Sequence, residues 1–252
     1  RVAASVAARV RVLLNFHLGA DVRLSVPDSI LETLRTRFPA VTFVAADDQE
    51  TLAREAPEAD VFYGWHFPAE LLGRARRLRW IQAASAGVES NLSTDVLARD
   101  IALTNAAGVA ASAIAEHALG LMLALSRNLH VAARLQQEGH WDRVAVMVGT
   151  GTPVREFRKS HVAVLGLGPI GRAVAEAAAA LGAVVKGLRR HPSGKQVPPF
   201  EAVLGRADLG RLLAWADFVV VALPHTAETT GLIGPREFAL MRADAYLVNV
   251  AR

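Results

Sequence analysis

Residues 161–172 read His-Val-Ala-Val-Leu-Gly-Leu-Gly-Pro-Ile-Gly-Arg. Gly166, Gly168 and Gly171 occupy the first, third and sixth positions of a turn. An apolar, β-branched run precedes it, and a small-residue helical face follows, built from Ala173, Val174, Ala177, Ala178 and Leu181. A strand that turns into a helix through glycines so spaced brings backbone N–H groups and the positive helix end up to a pyrophosphate. Pro169 and Ile170 act there through their backbone. A second apolar run, Ala183 to Leu188, ends in Arg189 and Arg190. Dinucleotide sites for an unphosphorylated ribose usually place an acid at that point. Two guanidinium groups suit a 2′-phosphate, so the expected cofactor is NADP(H), with NAD second. Ser193 and Lys195 are candidate further phosphate partners. The complete strand–turn–helix–strand order separates this segment from a chance glycine pattern.

These residues must be held by a substantial scaffold. The 252 residues are 52% hydrophobic, enough for two modest cored domains. Apolar strand signals at Val10–Phe16, Val41–Val44, Asp60–Tyr63 and Leu78–Gln82 alternate with helical ones at Asp28–Arg37 and about Ala69–Arg76, with Asp28 expected to cap its helix. That alternation predicts a parallel sheet covered on both faces. A long apolar helical pattern, Ala110 to about Gln137, is expected to bridge two domains. A polar segment with Trp141 then leads into the glycine turn. Further strands are expected at Asp217–Leu223 and Ala245–Val250, with a helix at Leu209–Ala216.

The net charge is +4, and the densest basic cluster, Arg74, Arg76, Arg77 and Arg79, has no interleaved aromatics. It reads as a solvated face, so no nucleic-acid partner is expected. The sequence has no cysteine, hence no disulfide frame or thiolate metal site, which fits a cytoplasmic protein. No apolar run reaches the length of a membrane span, so no membrane partner is expected. The arginine-bearing, acid-free residues 1–9 read as a ragged N-terminus.

Several segments in order resemble the D-isomer-specific 2-hydroxyacid dehydrogenases. They are Ala84-Ser-Ala-Gly-Val-Glu89, Thr104-Asn-Ala-Ala-Gly-Val109 with Ile114-Ala-Glu-His-Ala118, Leu165–Gly171, Ala222-Leu-Pro-His-Thr-Ala-Glu-Thr229 and Leu247-Val-Asn-Val-Ala-Arg252. The Trp65-His66 pair and the arginines at 189–190 are most similar to the NADPH-dependent glyoxylate/hydroxypyruvate reductase branch. The resemblance implies an α/β fold of two doubly wound parallel-sheet domains, with a C-terminal part absent from this chain. Residues 1–107 would form a flavodoxin-like substrate-binding domain, and 108–252 a Rossmann cofactor domain carrying the long linking helix.

It also implies roles. Ala86, Gly87 and Val88 would hold the carboxylate of a small 2-oxoacid through main-chain amides; Trp65, after a first-domain strand, either faces that substrate or packs among apolar residues. Arg252 would be the catalytic arginine, gripping the carboxylate and polarising the carbonyl during hydride delivery. Leu223, Pro224, Thr229 and Ala251 would line the cofactor alongside the glycine turn. A homodimer is implied, with Trp141 either packed across its interface or on a solvent-facing loop. The family completes its site with a glutamate and a histidine downstream of the arginine. Neither is present here, and none of the eight histidines is an evident substitute. His117 reads as a core or interdomain residue and His225 as lying near the ribose. The sequence is therefore expected to belong to a longer protein, and a polypeptide ending at Arg252 to bind cofactor but turn over poorly. Intact mass of the source protein decides this. The alternatives are a non-catalytic nucleotide-sensing module of the same fold, or a sister dehydrogenase acting on formate or phosphonate.

Overall fold

The computed structural model describes residues 9–16, 25–149, 151–192, 194 and 197–251. The chain divides into two compact units, residues 1–107 and 108–252.

In the first unit, strands β1 (Val10–Asn15), β2 (Val41–Ala45), β3 (Val61–Gly64), β4 (Trp80–Ala83) and β5 (Ala102–Thr104) form a parallel sheet in the order β2-β1-β3-β4-β5. Helices α1 (Asp28–Arg37), α2 (Gln49–Glu55), α3 (Ala69–Leu72) and α4 (Thr94–Ala98) make the crossovers. In β3, Val61, Phe62 and Gly64 are buried while Tyr63 is exposed. Leu13, Leu52, Phe62 and Ile81 are buried in its core, where Phe62 meets Phe67 edge-on. This is the flavodoxin-like strand order, whose direction reverses between β1 and β3.

The second unit contains α5 (Ala111–Ser126), α6 (Leu129–Gln137) and α7 (Arg143–Val148), then β6 (His161–Leu165), α8 (Pro169–Ala180), β7 (Val184–Leu188), β8 (Ala202–Leu204), α9 (Leu209–Trp215), β9 (Phe218–Val221), α10 (Pro235–Leu240) and β10 (Tyr246–Asn249). Its strands are parallel in the order β10-β9-β6-β7-β8. Counted from its own first strand this is the 3-2-1-4-5 arrangement of a Rossmann sheet, with the reversal between β6 and β9. Val162, Val164, Val174, Ala178 and Phe218 share one core layer with Ala118 and Met122 of α5. Leu165, Leu212 and Val219 belong to the other. Of the face expected on α8, Val174 and Ala178 are buried and Ala173 packs against the same core, whereas Leu181 is 44% exposed just past the helix; Ala175, outside that expectation, is buried as well.

The structure corrects several expectations. The pattern from Ala110 to Gln137 is two helices, not one. Asn128, buried and at φ 51°, breaks it, and its side-chain amide donates to the carbonyls of Val146 and Thr152, each at 3.0 Å. Asparagine tolerates that left-handed conformation better than most residues. The break lets the segment after α6 fold back, and part of it is helical as α7. Asp28 does not cap α1: Pro27 holds the cap position, and Asp28 lies in the first turn, where its charge favours the helix dipole. His117 is exposed on α5, so it is not a core histidine. The arginine cluster is partly paired, since Arg77 bridges Glu58 at 3.0 Å and Asp60 at 3.1 Å.

At the amino ends of β9 and β10 an ionic cluster ties loops together. Arg155 lies over the rings of Phe218 and Tyr246 and approaches Asp217 and Asp244. Arg242 donates to Asp244 through Nε at 3.0 Å and Nη2 at 3.2 Å, which holds the Asp244 carboxyl below its ordinary 3.8. In the first unit, hydrogen bonds from Arg11 and then Arg54 lower Glu55 likewise. A carboxyl depressed in the folded state contributes stability above its unfolded pKa, and that stability is lost as pH falls through the folded value. The melting temperature is therefore expected to hold near neutrality and to fall below pH 4 or so. Asp244→Asn is expected to melt lower at pH 7 and to flatten the acid slope, measured by thermal melts across pH.

Candidate functional site

In open parallel sheets, ligands bind beyond the carboxyl ends of the strands, where the strand order reverses. In the second unit that point is the end of β6, and Gly166 and Gly171 show why the turn requires glycine. Gly166 has φ 99°, and a Cβ there would lie 2.6 Å from the Ala222 carbonyl oxygen. A Cβ on Gly171 would lie 1.9 Å from the Gly166 carbonyl oxygen, so helix and strand meet only without one. Gly168 differs: it is exposed, and a Cβ would meet nothing within 4 Å. Among the described residues, the amides of Leu167, Gly168, Ile170 and Gly171 donate to no protein acceptor. An open face bearing idle N–H groups at the start of a twelve-residue helix fits a dinucleotide pyrophosphate.

Arg189 and Arg190 are exposed just beyond β7. The Arg189 amide donates to the Leu204 carbonyl, while its guanidinium has no ion-pair partner among the described residues. Arg190 is ion-paired with Glu228, on the loop after β9. Sequence reasoning missed that partner, because strand β6 lies between β7 and β9 and no local pattern links the two residues. The Arg206 guanidinium donates to the Glu228 carbonyl at 3.1 Å. Ser193 and Lys195 lie outside the described residues.

Beyond the ends of β9 and β10, a hollow of about 230 Å³ brings together Leu223, Pro224, Thr229 and Ala251. Val221, Leu247 and Asn249 also line it. The Thr229 hydroxyl is already engaged: it donates to the Pro224 carbonyl at 2.6 Å and accepts from the Thr226 amide at 2.9 Å. Its role in the structure is to brace the loop that carries Pro224. Exposed His225 is on the same loop. Arg252 lies outside the described residues.

In the first unit, the loops after β3 and β4 stand at the carboxyl edge of its sheet. Buried Asn91 locks the first of them, accepting from the Phe67 amide at 2.9 Å and donating to the Trp65 carbonyl at 3.0 Å. The indole N–H of Trp65 is buried with no acceptor among the described residues, and His66 beside it is exposed. In the second loop, Asn105 donates to the Ala86 carbonyl and Ser85 to the Gly87 carbonyl, both at 2.6 Å. These contacts occupy carbonyls only. Among the described residues, the amides of Ala86, Gly87 and Val88 donate to no acceptor. Consecutive free amides form a concavity that binds anions. Among the described residues no cluster of three metal-ligating side chains occurs, and no helix is long and apolar enough to cross a membrane.

The second unit is thus a dinucleotide-binding domain in form. Residues 119–252 match the family model described as "D-isomer specific 2-hydroxyacid dehydrogenase, NAD binding domain". Over 237 residues the chain is 32% identical to glyoxylate/hydroxypyruvate reductase B of Salmonella schwarzengrund, spanning 90% of this chain and 70% of that protein. Over 218 residues it is 36% identical to D-3-phosphoglycerate dehydrogenase of Mycobacterium bovis, spanning 84% of this chain but only 39% of that protein. Among solved structures, it superposes on a D-isomer specific 2-hydroxyacid dehydrogenase family protein of Aeromonas salmonicida with a TM-score of 0.78 at 27% identity, covering 97% of this chain and 73% of the other. A D-isomer specific 2-hydroxyacid dehydrogenase of Xanthobacter autotrophicus, solved with NADPH and MES, gives 0.75 at 26% identity, covering 98% and 73%. The chain belongs to the D-isomer-specific 2-hydroxyacid dehydrogenase family.

Proposed function

We propose that this chain binds NADP(H) and a small 2-oxoacid of the glyoxylate or hydroxypyruvate type, and serves its reversible reduction to the D-2-hydroxyacid. The observation that carries the reading is the run of unspent amides at Ala86, Gly87 and Val88, shaped to receive a carboxylate. Residues 1–107 would then be the substrate-binding domain and 108–252 the cofactor domain. The buried indole N–H of Trp65, without an acceptor among the described residues, offers a further donor to a substrate oxygen. Arg252 supplies a bidentate cation for the carboxylate, and a second donor as negative charge grows on the carbonyl oxygen. The glycine turn holds the pyrophosphate through the amides of Leu167, Gly168, Ile170 and Gly171. Arg189 and Arg190 meet the 2′-phosphate, and Leu223, Pro224 and Ala251 border the nicotinamide side. When bound, the nicotinamide supplies or accepts the hydride. No histidine of this chain is assigned the proton.

Steady-state oxidation of NADPH by the source protein tests this reading. Glyoxylate and hydroxypyruvate are expected to exceed a matched aldehyde lacking the carboxylate by at least about 100-fold in kcat/KM, the scale of two charge-assisted contacts. Equal activity on both would overturn it.

The same reading includes a homodimer. Trp141 is 95% exposed, and Val144, Met147 and Val148 on α7 are exposed as well, an apolar face that a second copy would cover. Trp141→Asp with Met147→Asp is expected to shift the protein from dimer to monomer in light scattering after size exclusion. An unchanged mass would remove this face from the interface.

A further inference from the structure

We propose that Glu228 sets the cofactor selectivity of this protein by competing with the 2′-phosphate for Arg190. The inference rests on the NADP(H) reading above and goes beyond it, because it concerns the acid that meets the arginine pair and not the pair itself. Three observations carry it. The end of β7 offers Leu188-Arg189-Arg190-His191, with no carboxylate of its own. The carboxylate that does reach Arg190 comes from the loop after β9. β6 pairs with both β7 and β9, so a link between the ends of the two outer strands passes over the carboxyl end of β6, where the glycine turn opens.

The pair therefore spans the place where an adenosine ribose approaches the turn. Its two side chains are 63% and 57% exposed, so it is screened by solvent and exchangeable. The loop itself is not free to drift. Arg206 holds the Glu228 carbonyl, and the Thr226–Thr230 turn is closed by its own amide and hydroxyl bonds. Glu228 thus stays beside Arg190 whichever cofactor enters. A 2′-hydroxyl donates to a carboxylate and leaves the ion pair intact. A 2′-phosphate carries a larger negative charge and must take the Arg190 guanidinium for itself, while the displaced carboxylate remains close and repels it. Arg189, with no ion-pair partner among the described residues, is the arginine available to the phosphate from the start. Glu228 accordingly lets the site accept both cofactors and narrows the preference that two free arginines would give.

The test is equilibrium binding of NADPH and NADH to the full chain, for the wild type, Glu228→Gln, Arg190→Ala and the double variant, at fixed pH and low ionic strength. Both positions are exposed, and melting temperatures confirm that each variant is folded. Glu228→Gln is expected to tighten NADPH by about three- to tenfold while NADH changes by less than about twofold. The gain is expected to vanish in the Arg190→Ala background and to shrink with added salt. If Arg190→Ala weakens NADPH but Glu228→Gln leaves it unchanged or weaker, the role of Glu228 is wrong and the NADP(H) reading stands. If the wild type binds NADH as tightly as NADPH and Arg190→Ala alters neither, the NADP(H) reading fails and this inference with it.

Discussion

Gly171→Ala is expected to abolish cofactor binding and to destabilise the second unit by more than about 4 kcal/mol, the range reached when a packed backbone has to move. The added methyl would lie 1.9 Å from the Gly166 carbonyl oxygen, 3.0 Å from that carbonyl carbon and 3.1 Å from a Val164 methyl. Two of these three atoms are backbone, so no side-chain rotation relieves the clash. Helix α8 would have to lift from β6, taking with it Val174 and Ala178, which are buried against the sheet. Gly168→Ala is the informative contrast. Its methyl meets no protein atom within 4 Å, and its φ of −70° suits alanine, so the melting temperature is expected to stay close to that of the wild type. The methyl would occupy the face proposed for the pyrophosphate, and cofactor affinity is expected to fall at least about tenfold. Thermal melts with NADPH titrations on both variants separate the two roles. Equal melting temperatures for the two would refute the close-packing role of Gly171.

Arg252→Ala is expected to lower kcat/KM for a 2-oxoacid by about 100- to 1000-fold in the source protein, the usual loss when one donor to a developing oxyanion is removed. NADPH affinity is expected to change little, because on the proposed reading the turn amides would hold the pyrophosphate and Arg189 and Arg190 the 2′-phosphate. Arg252→Lys keeps the charge but not the planar fork, and is expected to recover only part of the loss. Steady-state kinetics paired with a cofactor titration distinguish a lost substrate contact from a damaged cofactor site. A loss of less than about fivefold in Arg252→Ala would remove the residue from the chemistry.

The parts of this protein legible from sequence are those whose physical demand is local. The glycine turn can be read because Gly166 and Gly171 answer steric requirements within a few residues or one strand away. The same holds for β6, β7 and β9, whose apolar runs are long enough to require burial. The segments missed are short and lack a period: α2, α4, α7, α10, β5 and β8 run for seven, five, six, six, three and three residues. The break at Asn128 was illegible for another reason. The apolar spacing continues through it, and what stops the helix is a pair of carbonyls, at Val146 and Thr152, that only the fold brings to that side chain. Glu228 is the same case at the site. The arginine pair announces a need for negative charge, but the residue that answers it in the folded chain arrives from a loop two strands away. Thr229 lines the hollow with Leu223, Pro224 and Ala251, and its hydroxyl also braces its own loop, a second demand that the sequence does not show.

The most direct test of the account is a parallel measurement of kcat/KM for NADPH and NADH in the source protein, with glyoxylate and hydroxypyruvate as acceptors. Two arginines where an acid would otherwise stand, and an anion cradle at residues 86–88, predict oxoacid-dependent oxidation of NADPH at least about tenfold more efficient than that of NADH. Oxidation of neither cofactor, or a preference for NADH, would contradict it.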